Sequence, residues 1–108
     1  MQKIFLILLM AIMMPVAGMT QTNFRDMTYE EALVAAKQEN KLVFIDFYTT
    51  WCGPCKMMIN TVFPQKKVGD YLNKRFVCIK LDAEKEGKDL AELHQVKAYP
   101  TFIGLDAN

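Results

Sequence analysis

The sequence predicts an α/β fold in which a mixed central sheet is flanked by helices. Three stretches carry that prediction. Residues 42–48, Leu-Val-Phe-Ile-Asp-Phe-Tyr, are a nearly continuous apolar run of strand length, the pattern of a strand buried on both faces. Residues 76–81 form a second such run, reached only after helical sequence, and strand–helix–strand order makes a right-handed parallel crossover. A third apolar segment, 101–105, opens directly after Pro100.

The first residues stand apart from this pattern. Met1, Gln2 and Lys3 make a short basic start, residues 4–14 are apolar, and Pro15, Ala17 and Gly18 supply a small-residue end. That is the layout of a secretory signal peptide. Residues 1–18 are therefore read as a signal peptide, 19–27 as a short N-terminal segment and 28–108 as one domain. The apolar run is short for a bilayer, which takes roughly 20 such residues, so an uncleaved anchor is the lesser alternative. No cysteine near the cleavage region supports a lipid anchor. The expected location is exported, periplasmic or extracellular.

Lys3 leaves with the signal, so 12 basic side chains face 12 acidic ones in the mature chain. With no block of like charge, nothing points to nucleic acid or to a membrane surface as partner. Three cysteines, two of them in one short motif, do not make a disulfide framework.

Within the domain, residues 20–25 supply at most a brief edge strand. Thr28-Tyr29-Glu30-Glu31 is a capping box, and Ala32, Leu33, Ala35 and Ala36 continue a helix toward Asn40. After the strand at 42–48 comes Trp51-Cys52-Gly53-Pro54-Cys55-Lys56, which opens a helix running to Val62. Phe63-Pro64 should interrupt that helix, because a residue before proline avoids the helical region. A second helical piece over 65–74 is expected to turn Val68, Tyr71 and Leu72 inward. A flexible charged loop, 84–88, precedes a short helix at 89–95, and Asp106-Ala107-Asn108 reads as a turn.

Cys52 and Cys55 lie three positions apart where a strand feeds a helix, on one face of the first turn and close enough to bond. Unpaired N–H groups and the helix dipole favour negative charge there, so Cys52 should ionise more readily than a free thiol. Such a thiolate attacks a disulfide to give a mixed disulfide, which the second thiol resolves. Asp46 is a carboxylate inside an apolar run; burial should raise its pKa and let it accept the proton of Cys55, although an edge position or a structural pairing would also explain it.

Asp46 six residues before Cys52, the Trp-Cys-Gly-Pro-Cys-Lys run and the Tyr99-Pro100-Thr101 segment that opens a later strand together resemble the thioredoxin family, over roughly residues 41–105. The resemblance implies a thioredoxin-like fold and a thiol–disulfide oxidoreductase with a redox-active Cys52–Cys55 disulfide, in which Cys52 is the exposed nucleophile. It also places Lys80 beside Asp46, gives Pro100 a cis bond after Tyr99, and sets that segment against the sulfurs to pair with an extended substrate. Trp51, Gly53, Pro54, Tyr99 and Pro100 are thus the candidate substrate-binding residues, with Cys52, Cys55, Asp46 and Lys80 the catalytic ones. Trp51 and Pro100 also read as ordinary core and strand-opening residues. Tyr99 departs from the small aliphatic residue of classical thioredoxins toward the disulfide isomerases. A complete family fold continues into a further strand and a closing helix; eight residues follow Pro100 here. The expectation is a truncated sheet with an open edge and an uncovered apolar face, marginal on its own.

The alternatives for the pair are a structural disulfide or a zinc site. Zinc takes about four ligands, and only Cys78 and His94 could join the pair. Cys78 reads instead as a buried inert thiol, His94 as a surface helix-end residue, and Met57 and Met58 as core and rim packing, with Met57 able to extend a substrate surface. No metal and no cofactor are expected. The partners implied are protein disulfides and a membrane or reductase electron donor, with the chain acting as a monomer. The function expected is reduction of protein disulfides outside the cytosol, favoured by Gly53-Pro54. An oxidase, an isomerase, or a non-enzymatic peptide-binding or electron-relay domain of a longer protein are the rivals.

Overall fold

In the computed structural model the described residues are 21–108. The signal peptide assigned to residues 1–18 lies outside them, as do the first two residues of the segment after it. No helix among the described residues is long and apolar enough to cross a membrane.

Helix α1 (Tyr29–Glu39) begins at Thr28, whose hydroxyl accepts from Glu31 N at 3.1 Å while the Glu31 carboxylate accepts from Thr28 N at 2.8 Å. This reciprocal cap satisfies two otherwise orphaned donors and stabilises the helix start by about 1 kcal/mol. The helix ends at Asn40, which takes the left-handed conformation (φ 56°) that asparagine tolerates better than most residues. Ala32 and Ala36, one turn apart and fully buried, let α1 close tightly on the sheet.

Strand β1 (Leu42–Tyr48) is the centre of that sheet. It pairs in parallel with β2 (Phe76–Asp82), with Val43 opposite Val77 and Phe47 opposite Leu81, and antiparallel with β3 (Thr101–Leu105), so the order is β2-β1-β3. Strand alternation divides the core in two. Val43, Ile45 and Phe47, with Val77, Ile79 and Leu81, pack under α1 and under Ala91 of α4 (Lys88–Leu93). Phe44, Phe76 and Cys78 face the other way, against Phe24, Met58, Ile59, Phe63, Val68 and Leu72. Phe63 joins this second layer together. Its ring meets those of Phe24, Phe44 and Phe102 at 4.8, 6.2 and 5.6 Å, all three edge-on.

The helix after β1 comes in two parts: α2 (Gly53–Met57), then a widened π-helical turn, Met58–Val62, closed by Phe63 N donating to Met58 O at 3.0 Å. Phe63 is itself helical (φ −65°, ψ −24°), so the break falls at Gln65 (ψ 133°), later than expected. Pro64 acts through its ring and its missing N–H, which disturb the turn before it; the wider turn absorbs that disturbance. Gln65 Nε2 then donates to Thr61 O at 2.8 Å, satisfying a carbonyl at the frayed end.

Helix α3 (Lys66–Arg75) buries Leu72 and half-buries Val68, but Tyr71 does not turn inward. It is 55% exposed, with the Arg75 guanidinium 4.1 Å above its ring. The inward stripe runs through positions 68 and 72, one helical turn apart, and position 71 falls on its flank.

The charged connection after β2 is hydrogen-bonded rather than slack. Asp82 Oδ1 accepts from Glu84 N, Glu86 Oε2 accepts from Asp82 N, and Gly87 N donates to Asp82 O, at 2.9, 2.6 and 2.8 Å. Gly87 is required by close approach, since a Cβ there would lie 2.8 Å from Leu81 Cβ. Helix α4 stops at Leu93, earlier than expected, and Gln95 turns left-handed after it. The N-terminal edge strand shrinks to one parallel bridge between Phe24 and Cys78, flanked by Arg25 N donating to Cys78 O. Among the described residues β3 has no strand on its outer side, and Phe102 is 39% exposed there.

Replacing Phe63 by alanine removes the ring on which Phe24, Phe44 and Phe102 converge. The expected loss is ~3–5 kcal/mol, read as a lower urea midpoint with an unchanged slope.

Candidate active site

The site grows from the C-terminal end of β1. Because β1 is buried from both sides, its pleat holds Asp46 on the face that lies under the active helix, at 1% exposure. Neither carboxylate oxygen has a hydrogen-bond partner among the described residues. Burial disfavours the charged form and pushes Asp46 up to about 6, against the opposing pull of the Lys80 ammonium. Lys80 is the register partner of Asp46 on β2. Its side chain reaches the surface, with Nζ 5.7 Å from the ring of Phe24 and 5.8 Å from that of Tyr48.

After Tyr48 the chain turns through Thr49, Thr50 and Trp51. Cys52 N donates to Thr49 O at 3.3 Å, fixing the entry to the helix. Cys52 is the N-cap, extended at φ −81° and ψ 107°, with Pro54 in the first turn where its missing N–H costs nothing. Cys52 and Cys55 are joined by a disulfide, with Cα atoms 5.3 Å apart, and Cys52 Sγ accepts from Cys55 N at 3.1 Å. Cys52 is not the exposed partner in this oxidised state: it is 3% exposed and Cys55 4%. The N-cap conformation folds its sulfur back over the first turn, toward Cys55.

Around the pair, Trp51 is 65% exposed, yet it is held in place. Its indole N–H donates to Glu84 Oε1 at 2.9 Å, and its ring stands edge-on to Tyr99, 6.0 Å away. The Tyr99–Pro100 bond is cis. Met57 is exposed beside the helix start, whereas Met58 packs into the second core. Beneath lies a cavity of about 280 Å³, bordered by Asp46, Tyr48, Thr49, Cys55, Ile59 and Lys80. The structure therefore gathers Asp46, Lys80 and Cys55 around one space and Trp51 and Tyr99 around another.

Two participants went unnoticed in the sequence reading. Thr49 is 1% exposed with an unpartnered hydroxyl, and Glu84 anchors Trp51 from the connection that follows β2. No sequence pattern marks Glu84. Thr49 stands directly between a buried strand and the motif, but a threonine near a turn is too common to mark it. Cys78 and His94 lie elsewhere: Cys78 is buried on β2, its thiol pushed up to about 11 by desolvation, and His94 caps α4. Among the described residues no three ligand-type side chains gather as a metal would require.

A disulfide closed between cysteines three positions apart at a strand-to-helix turn, sharing a cavity with a buried carboxylate, defines a thiol–disulfide oxidoreductase site. The Thioredoxin family model matches residues 19–107. Thioredoxin-1 of Drosophila melanogaster is 39% identical over 80 residues, 74% of this chain and 69% of that protein. Mitochondrial thioredoxin-3 of Saccharomyces cerevisiae is 48% identical over 67 residues, 62% of this chain but 48% of its own length. Among solved structures, a putative disulphide-isomerase from Bacteroides thetaiotaomicron superposes with a TM-score of 0.73 at 42% identity, covering 84% of this chain and 76% of that one. The chain belongs to the thioredoxin family.

The raised pKa of Asp46 has a thermodynamic consequence. The folded state binds this proton more tightly than the unfolded one, so the stability it contributes is present below the ordinary carboxylate range and is lost as pH rises toward 6. Comparing wild type with Asp46→Asn by denaturant unfolding between pH 3.5 and 7.5 should show wild type losing about 3 kcal/mol across that window relative to the variant. Parallel pH curves would mean that Asp46 is not the desolvated group described.

Proposed function

We propose that this chain reduces protein disulfides outside the cytosol, cycling between a Cys52/Cys55 dithiol and the disulfide seen here. The observation that carries the reading is the closed pair whose Cys55 borders one cavity with a buried, unpartnered carboxylate. In the reduced protein, the Cys52 thiolate attacks one sulfur of a substrate disulfide; a new S–S bond forms and the first substrate thiolate leaves. Cys55 then gives its proton to Asp46, and its thiolate attacks Cys52 Sγ. The Cys52–Cys55 bond forms and the second substrate sulfur departs as a thiolate. The substrate gains two electrons and the pair loses two, which an electron donor, a membrane protein or a reductase, must return.

Lys80 opposes the burial cost of the Asp46 charge, keeping the carboxylate usable near neutral pH. Trp51 and Tyr99, fixed against each other and by Glu84, offer an apolar ledge beside the pair. Gly53 and Pro54 set the first helical turn, and the segment at Tyr99 and Pro100 is the strand opening along which an extended substrate would pair. The basic, apolar and small-residue layout of residues 1–18 supports export, and the neutral charge balance gives a nucleic-acid partner no support, leaving protein disulfides as the substrate of a chain taken to act as a monomer.

A second reading has a specific observation behind it. Tyr99 precedes the cis proline, and the structure named a putative disulphide-isomerase is 42% identical. Both favour an isomerase or oxidase role. The reduction potential of the Cys52–Cys55 pair, equilibrated against glutathione buffers, separates the two. A value near −270 mV, roughly that of thioredoxin, is the expected result; one near −180 to −120 mV, roughly the isomerase to oxidase range, would make the chain a donor or reshuffler of disulfides.

Cys52→Ser should abolish turnover of a protein disulfide. Cys55→Ser should accumulate mixed disulfides on Cys52, detected as reductant-sensitive adducts by mass spectrometry. A Cys52→Ser protein that keeps full biological function without turnover would point instead to a binding module.

A further inference from the structure

Four buried side-chain oxygens among the described residues have no hydrogen-bond partner: Asp46 Oδ1 and Oδ2, Thr49 Oγ1 and Thr22 Oγ1. The first three belong to the two residues, each 1% exposed, that border the cavity of about 280 Å³ together with Cys55. Leaving a buried hydroxyl and a carboxylate unsatisfied costs several kcal/mol, so such groups are almost always hydrogen-bonded to protein or to ordered water. The cavity wall is largely apolar, so these unpartnered oxygens are the places on it where water is held; the space has room for several waters at about 30 Å³ each, and a buried water needs two to four polar partners. A carboxylate only accepts hydrogen bonds, whereas a hydroxyl both donates and accepts, so together they can orient one water between them.

We propose that Thr49 is a positioning residue of the resolving step, its hydroxyl holding with Asp46 the water that carries the proton between Cys55 Sγ and the carboxylate. The assignment rests on the redox cycle proposed above. Thr49 is suited to it because its own carbonyl accepts from Cys52 N, which ties the hydroxyl to the reactive turn. In the resolving step Cys55 S–H donates its proton to this water as the water passes one to Asp46. The thiolate forms the Cys52–Cys55 bond, the bond from Cys52 to the substrate sulfur breaks, and Asp46 later returns its proton to solvent. No further oxidant or reductant enters.

Other groups pair with Asp46 or border the same cavity. From β2 it meets Lys80, from its own strand Tyr48, whose phenol is held above its ordinary range by burial and by Glu86 and Asp82. From the active helix come Cys55 and Lys56, from the π turn Ile59 and Asn60, and from β3 the uncharged Phe102 as register partner. A threonine that served only as β-branched packing would be replaced by valine with no change in the rate of thiol release, because the two have nearly the same shape.

The test is the rate at which Cys55 expels an aromatic thiol from a mixed disulfide on Cys52, followed by absorbance from pH 5 to 8 on the full chain. Thr49→Val should slow release about tenfold at pH 6 and move the midpoint of the pH profile up by about one pH unit, while Thr49→Ser restores both. A valine variant with wild-type rate and midpoint overturns the proposal. Equal losses in valine and serine also overturn it, since they would report packing rather than the hydroxyl. Absence of release from wild type itself would overturn the redox cycle as well, which separates the two failures.

Discussion

Burial of β1 from both sides is the constraint on which the rest of the molecule depends. Val43, Ile45 and Phe47 are wholly excluded from water on one face, with Phe44 and Asp46 beneath helices on the other. Each large apolar side chain buried in this way contributes up to about 1.5–3 kcal/mol. A shift of one residue in register would exchange the two faces and expose that whole set, so the pleat is fixed. Fixing the pleat fixes Asp46 under the active helix. It also fixes where the strand ends at Tyr48, hence where the Thr49–Trp51 turn delivers Cys52. The redox pair is placed by the hydrophobic core, not by contacts of its own.

The same constraint creates the site's main cost. A carboxylate sits in a strand whose neighbours are aromatic and aliphatic, and only Lys80 across the parallel ladder opposes its desolvation. A chain selected for stability alone would place an apolar residue there, since an unpaired buried charge is strongly unfavourable. Retaining it is the kind of local conflict expected where function overrides packing. The second core layer offsets part of the cost. Phe24, Phe44, Phe63, Phe76 and Phe102 interlock on the same side of the sheet, each ring within 6.4 Å of another.

Most of the fold could be read directly from periodicity and punctuation. The capping box at Thr28, the continuous apolar run of β1 and the proline before β3 each encode local geometry that packing does not override. The parallel pairing of β1 with β2 followed from the helix between them. What the sequence concealed depended on tertiary surroundings. Tyr71 and Leu72 are adjacent and both apolar enough to be inside; only the angle at which α3 lies on the sheet decides between them. The helical Phe63 shows that a preference before proline is weaker than the contacts of a ring wedged among three others. At the site, the cysteine pair and Asp46 were legible because their residue types are chemically unusual where they stand. Glu84 and Thr49 were not, because an exposed glutamate and a threonine near a turn are commonplace until Trp51 and the cavity are seen beside them.

The geometry around Cys52 also weighs on the direction of the proposed reaction. A pair becomes strongly oxidising when its reduced form, the nucleophilic thiolate, is well stabilised. Among the described residues one backbone donor, Cys55 N, reaches Cys52 Sγ, and no side-chain donor does. Glu84, on the other side of the motif from Asp46, is engaged by the Trp51 indole and brings negative rather than positive charge there. Neither feature adds a positive charge to the help that the helix N-terminus gives a Cys52 thiolate. A modestly stabilised thiolate leaves the disulfide as the comfortable resting form, so the dithiol gives up its electrons readily. That is the property the proposed reductant role requires of the pair.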